Sequence, residues 1–201
     1  MLRLFAGLLA TALVLAGAPS VAETPRTYEE MKKAVSVKKF ADGRVIASSA
    51  AFAETDTWSR YVNGGKQTST VSVMIEAWPD KPVEIYFLAS SNWAVFQTEA
   101  QSRDDPAKPD EPRDGYIGPP WTKTTARVLE NTVTCGNDGQ WCRHTRHRRI
   151  DLTQDMVREI VRDETRTSIS MSIDHAASDY KIPRSHLIAT LDAIGLLYAF
   201  K

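Results

Sequence analysis

The densest run of chemistry-bearing residues is Cys142-Arg-His-Thr-Arg-His-Arg-Arg149, with Cys135 seven positions ahead of Cys142. Its atom types admit two chemistries. As metal ligands, Cys135, Cys142, His144 and His147 offer the sulfur and nitrogen donors of a zinc site. Strand geometry argues against that use, because residues three apart point to opposite faces and oxidised thiols are no longer ligands. No metal or other cofactor is expected. As an anion site, Arg143, Arg146, Arg148 and Arg149 with His144 and His147 make a compact positive patch, and the guanidinium fork suits phosphate or carboxylate. The partner such a surface would take is an anionic glycan, lipid or protein. Part of the charge is matched locally: a two-residue turn at Asp138-Gly139, carried inward, pairs Glu130 with His147 and Val128 with Arg149.

Other residues are weaker candidates. Asp174-His175 with Asp179 has acid and base groups, and Ser185-His186 has a nucleophile beside a base. Adjacent residues on one element do not face each other, and no Gly-x-Ser-x-Gly elbow or His-Glu-x-x-His motif accompanies them. No catalytic residue is assigned. Gly64-Gly65 reads as a turn, since a nucleotide fingerprint needs further glycines between a strand and a helix. Trp58, Trp78 and Trp93 could line a groove for a glycan or peptide, although aromatic residues on strands mostly serve as core or rim packing.

The address is written at the N-terminus. Arg3 precedes the apolar run Leu4 to Gly17, and the stretch ends in the small-residue pattern Ser20-Val-Ala22. This predicts a signal peptide over residues 1–22, cleaved after Ala22, and a mature domain over residues 23–201 that is periplasmic or secreted, with no membrane span after cleavage. Loss of Arg3 leaves 24 basic against 25 acidic residues, so no global field draws the chain to nucleic acid. In an oxidising compartment two thiols at this spacing are expected to bond across the hairpin, a staple and not a redox centre.

The elements follow from periodicity. Thr27-Tyr-Glu-Glu30 has the spacing of a capping box for a short N-terminal helix. Ala41-Asp-Gly-Arg44 reads as a turn, with weak strand signals over residues 44–52 and 57–62. Residues 68–78, 82–89 and 93–98 read as three strands of a meander, broken at Pro79 to Pro82 and at Ser90-Ser-Asn92. Residues 101–114 are rich in proline and charge and predict a mobile loop, beyond which Tyr116 and Trp121 pack on the body. The stapled hairpin spans about 124–150. Asp151-Leu-Thr-Gln154 carries capping-box spacing ahead of a helix at about 153–162. Ile169, Met171 and Ile173 share one face of a strand. Pro183 opens a last helix whose apolar stripe runs Leu187, Ile188, Leu191, Ile194 and Leu197.

Together these predict an α+β protein: an antiparallel β-sheet with helices near the N-terminus, at about 153–162 and at the C-terminus. The functional expectation is a small, soluble, non-enzymatic binding protein outside the cytoplasm. The alternative is a secreted hydrolase whose acidic or histidine residues meet only in three dimensions.

Overall fold

Apolar residues alternate with polar ones from Val71 to Ala77, the period of a strand with one face toward a core. The computed structural model, which describes residues 27–54, 68–96, 112–136, 141–174 and 180–201, has a strand there. Its helices are α1 (Tyr28–Lys33), α2 (Gln154–Arg162) and α3 (Arg184–Ala193). The strands are β1 (Ser36–Lys39), β2 (Val45–Ser48), β3 (Phe52–Glu54), β4 (Thr68–Trp78), β5 (Lys81–Phe96), β6 (Pro112–Gly118), β7 (Thr122–Cys135), β8 (Trp141–Leu152), β9 (Ser168–Ile173) and β10 (Tyr180–Pro183). Strand makes up 56% of the structure, so the sheet sets its shape.

All ten strands join one antiparallel sheet in the order β1-β2-β4-β5-β8-β7-β6-β9-β10, with β3 also on β4. That sheet is strongly rolled. Laid flat, β5 and β10 would be five strand spacings apart, about 24 Å. Instead the Tyr180 hydroxyl on β10 lies 3.1 Å from Ser91 Oγ on β5. The inside of the roll holds one continuous buried cluster, with Val71, Val73 and Ile75 of β4 beside Ile85 and Phe87 of β5 and Ile150 of β8. Burying a side chain the size of Phe87, which is fully enclosed, contributes on the order of 2 to 3 kcal/mol.

Helices close one part of this interior. From α2 come Met156, Val157, Ile160 and Val161, and from α3 Leu187 and Leu191. The last carbonyls of α2 lack intrahelical donors, and Arg184 at the start of α3 supplies them, donating to Ile160 O at 2.7 Å and Val161 O at 2.6 Å. The predicted capping box of α1 is present, with Thr27 and Glu30 exchanging both bonds. Gly43, at φ 82°, takes the left-handed position of the turn before β2.

Several boundaries differ from the sequence expectation. Ser90, Ser91 and Asn92 do not make a turn but lie within the continuous strand β5. Ladders with β4 and β8 flank them, and their side chains bond to His147, Tyr180 and Thr145, so a polar triplet that reads as a break is satisfied in the sheet. The second and third strands of the expected meander are therefore one, and β8 is its other neighbour. The α2 cap is Thr153, whose side chain accepts from Met156 N, while Asp151 stays in β8. Pro183 ends β10 and precedes α3, which stops at Ala193, so Ile194 and Leu197 lie beyond the helix. Of the expected loop, Pro112 to Asp114 begin β6, and residues 101–111 are outside the described residues. Also outside are residues 1–22, 57–62, Gly64-Gly65 and Asp138-Gly139. Tyr116 and Trp121 are half-buried, and the Trp121 ring lies over Gly118 so closely that an added Cβ would sit 2.5 Å from it.

Candidate functional site

The hairpin of β7 and β8 opposes Cys135 to Cys142, and the two are disulfide-bonded. Strand alternation then divides the six basic residues that follow. Arg143, His147 and Arg149 project from the outer face, whereas His144, Arg146 and Arg148 point inward between the buried Cys142 and Ile150. The expected patch is thus two sites on opposite faces. The same alternation parts His144 from His147, and among the described residues no group of His, Cys, Asp or Glu has metal-site geometry.

Register defines the inner site. Ser69, Ser91, Arg146 and Asn131 are successive cross-strand partners over β4, β5, β8 and β7. The next row toward the helices is Val71, Ala89, Arg148 and Val128, and beyond it the interior is apolar. Curling of the sheet brings Tyr180 over both rows. Its hydroxyl accepts from Arg148 Nη1 at 2.5 Å and lies 3.1 Å from Ser91 Oγ, which is 3.3 Å from Ser69 Oγ. Ser69, Ser91 and Tyr180 are each 3% exposed.

Two guanidinium groups, Arg146 and Arg148, stand on this inner face two residues apart. Burial, then the neighbouring Arg148 charge, holds the Arg146 guanidinium below its usual basicity. No carboxylate among the described residues pairs with Arg148, and its Nε, like Asn131 Oδ1, is buried without a hydrogen-bond partner there. His144 is only 6% exposed, and burial lowers its pKa, which favours the neutral ring. It therefore does not supply the positive charge that the sequence suggested.

The outer site is more fully matched. Arg149 donates to Glu84 at 2.7 Å and Asp151 at 2.6 Å, and lies 3.9 Å over the Tyr86 ring. Burial and a bond to Glu76 push the Tyr86 hydroxyl pKa upward. A register shift between Val128 and Glu130 leaves Leu129 exposed, so Glu130 faces His147 as expected, while Val128 faces Arg148 instead of Arg149. One row reads Thr70, Ser90, His147, Glu130. Ser90 Oγ is 2.7 Å from His147 Nδ1, and His147 Nε2 is 3.6 Å from Glu130 Oε2. Arg143 is exposed.

The remaining candidates do not converge. His186 is buried, edge-on to Phe52 at 5.7 Å, so it is a core group and not a base for Ser185. Asp174 bonds Arg113 at 2.7 Å, whereas His175 and Asp179 lie outside the described residues. Trp78 stands at the end of β4 beneath Lys81, Trp58 is outside the described residues, and of Trp93 only the backbone is described. Sequence reasoning missed Ser69, Ser90, Ser91, Asn131 and Tyr180. Their only local signal was alternation, which names a face but not a neighbour. Comparison of the chain with protein-family models, curated proteins and solved structures gave no match in any of the three.

Proposed function

We propose that this is a binding protein acting outside the cytoplasm, and that it takes a small phosphate- or carboxylate-bearing ligand at the inward arginines Arg146 and Arg148. The observation that carries this reading is a pair of like charges on one strand face, two residues apart, with Arg148 donating to the Tyr180 hydroxyl and Arg146 paired across the ladder with Ser91. Holding two half-buried guanidinium groups together is costly, and an anion that accepts from both relieves desolvation and repulsion at once. Ser69, Ser91 and Tyr180 add neutral donors that suit the remaining oxygens of such a group. The extracytoplasmic address is supported by the N-terminal sequence pattern and by the disulfide.

The test uses the chain from Glu23 onward at low salt, titrated with inorganic phosphate and citrate by calorimetry. Saturable binding that weakens as salt is added is expected, with loss of at least about tenfold in affinity in Arg146→Gln/Arg148→Gln. Unchanged affinity in the double variant, or no binding of either anion by the parent, overturns the reading.

A further inference from the structure

The row Ser90, His147, Glu130 crosses three adjacent strands on the outer face and has the connectivity of a nucleophile, a base and an orienting carboxylate. We infer that it is an acyl-transfer site, with Ser90 as nucleophile toward carboxylic esters. This inference goes beyond the proposed anion binding and does not rest on it, because the two sets of residues are on opposite faces of the sheet.

Hydrogen-bond chemistry sets the roles. The Glu130 carboxylate, 3.6 Å from His147 Nε2 and so in electrostatic contact and not hydrogen-bonded, favours the tautomer with its proton on Nε2. Nδ1 is then the acceptor for the Ser90 hydroxyl, 2.7 Å away, the reach required of a general base. Rigidity comes from the sheet: β5 and β8 are paired over the whole stretch from Ile85 to Phe96, so the residues sit on strands and not on loops. The histidine side chain is 29% exposed and the glutamate 52%, which leaves the row open to a ligand from solvent.

The main-chain N–H groups of a central strand are engaged in its ladders, so the donor to a developing oxyanion must be a side chain. Asn92 meets this need. It stands two residues from Ser90 on the same face, about 6.7 Å along the strand. Thr145 Oγ1 donates to its Oδ1 at 2.9 Å, which leaves the amide Nδ2 to donate. The face is open to an ester at this row, and Thr70, Leu88 and Asn92 flank Ser90 there.

The chemical step balances with water as the second substrate. Ser90 Oγ bonds to the carbonyl carbon as its proton passes to His147 Nδ1. Collapse breaks the ester C–O bond, and the departing alcohol takes that proton. Water, deprotonated by the same nitrogen, then cleaves the acyl-enzyme, which releases the acid and returns the proton to Ser90.

The experiment treats the chain from Glu23 onward with p-nitrophenyl acetate and, separately, with a fluorophosphonate, followed by peptide mass mapping. Expected results are p-nitrophenolate release above buffer, and acetyl or phosphonyl adducts on Ser90. Ser90→Ala should abolish both, His147→Gln should slow release by about 10²-fold or more, and Glu130→Gln should slow it less. Release in Ser90→Ala equal to the parent, an adduct on His147 in place of Ser90, or no fluorophosphonate adduct on the unmodified chain overturns the inference. The last of these needs no variant to fold.

Discussion

At the scale of single residues, His144 and His147 show how one strand gives two histidines different chemistry. His147 stands on the outer face between a hydroxyl and a carboxylate, and His144 is enclosed beside the disulfide. Because burial disfavours the charged His144 ring, the folded chain binds its proton less tightly than the unfolded chain does. The corresponding stability is fully present above the unfolded value of about 6.5 and is lost as pH falls through the lower folded value. Denaturant melts should therefore show a loss of stability below about pH 6.5. In His144→Phe that component should disappear while the pH-independent stability stays near the parent's. An unchanged pH profile in the variant would assign the acid sensitivity to other groups.

At the scale of elements, α1 contributes no buried residue and is held through its polar face. Asp192 on α3 accepts from Tyr28 at 2.9 Å and pairs with Lys32 at 2.6 Å. The Lys32 bond, then the Tyr28 bond, holds the Asp192 carboxyl below its usual range. That part of the clasp is present above about pH 3.9 and is lost as pH falls through the folded value. Desolvation, then the bond to Asp192, pushes Tyr28 up to about 12, so its part is complete below about pH 10 and is lost as pH rises through about 12. Protection factors of residues 28–33, each exchange rate referred to the intrinsic rate at the same pH, should accordingly be highest across the neutral range and fall at both extremes, while the amides of β5 stay protected. Asp192→Asn should remove the acid limb. Equal exchange in parent and variant at every pH would mean that α1 is held by something other than this clasp.

At the scale of the whole molecule, a single rolled sheet joins strands far apart in sequence, and only the β7–β8 hairpin carries a covalent brace. Closing so short a loop restricts the unfolded chain modestly, about 2 to 3 kcal/mol in the entropy model. Cys135→Ser/Cys142→Ser should therefore lower the unfolding free energy by about 2 kcal/mol and leave the far-ultraviolet circular dichroism unchanged. Global unfolding of the double variant at room temperature would show that the brace is needed to form the sheet. Among the described residues no helix is long and apolar enough to cross a membrane.

Periodicity and short-range chemistry were enough to read the α1 capping box, the stapled hairpin, the alternating face of β4, the apolar stripe of α2 and the part of the α3 stripe at Leu187, Ile188 and Leu191. Each of these is decided within a dozen residues by side-chain period, turn residues or cap geometry. The merger of two predicted strands into β5 was not readable, because Ser90, Ser91 and Asn92 look like a break until His147, Tyr180 and Thr145 arrive as partners from 53 to 89 positions away. The six-residue basic patch failed for a related reason: alternation could divide it in two, but only strand pairing could say that one half meets Ser69, Ser91 and Tyr180 while the other meets Ser90, Glu130 and Glu84. Composition and local pattern thus determined the staple and most elements by themselves. Tertiary structure decided which polar groups share a site, since register and sheet curvature are set by contacts that no local window contains.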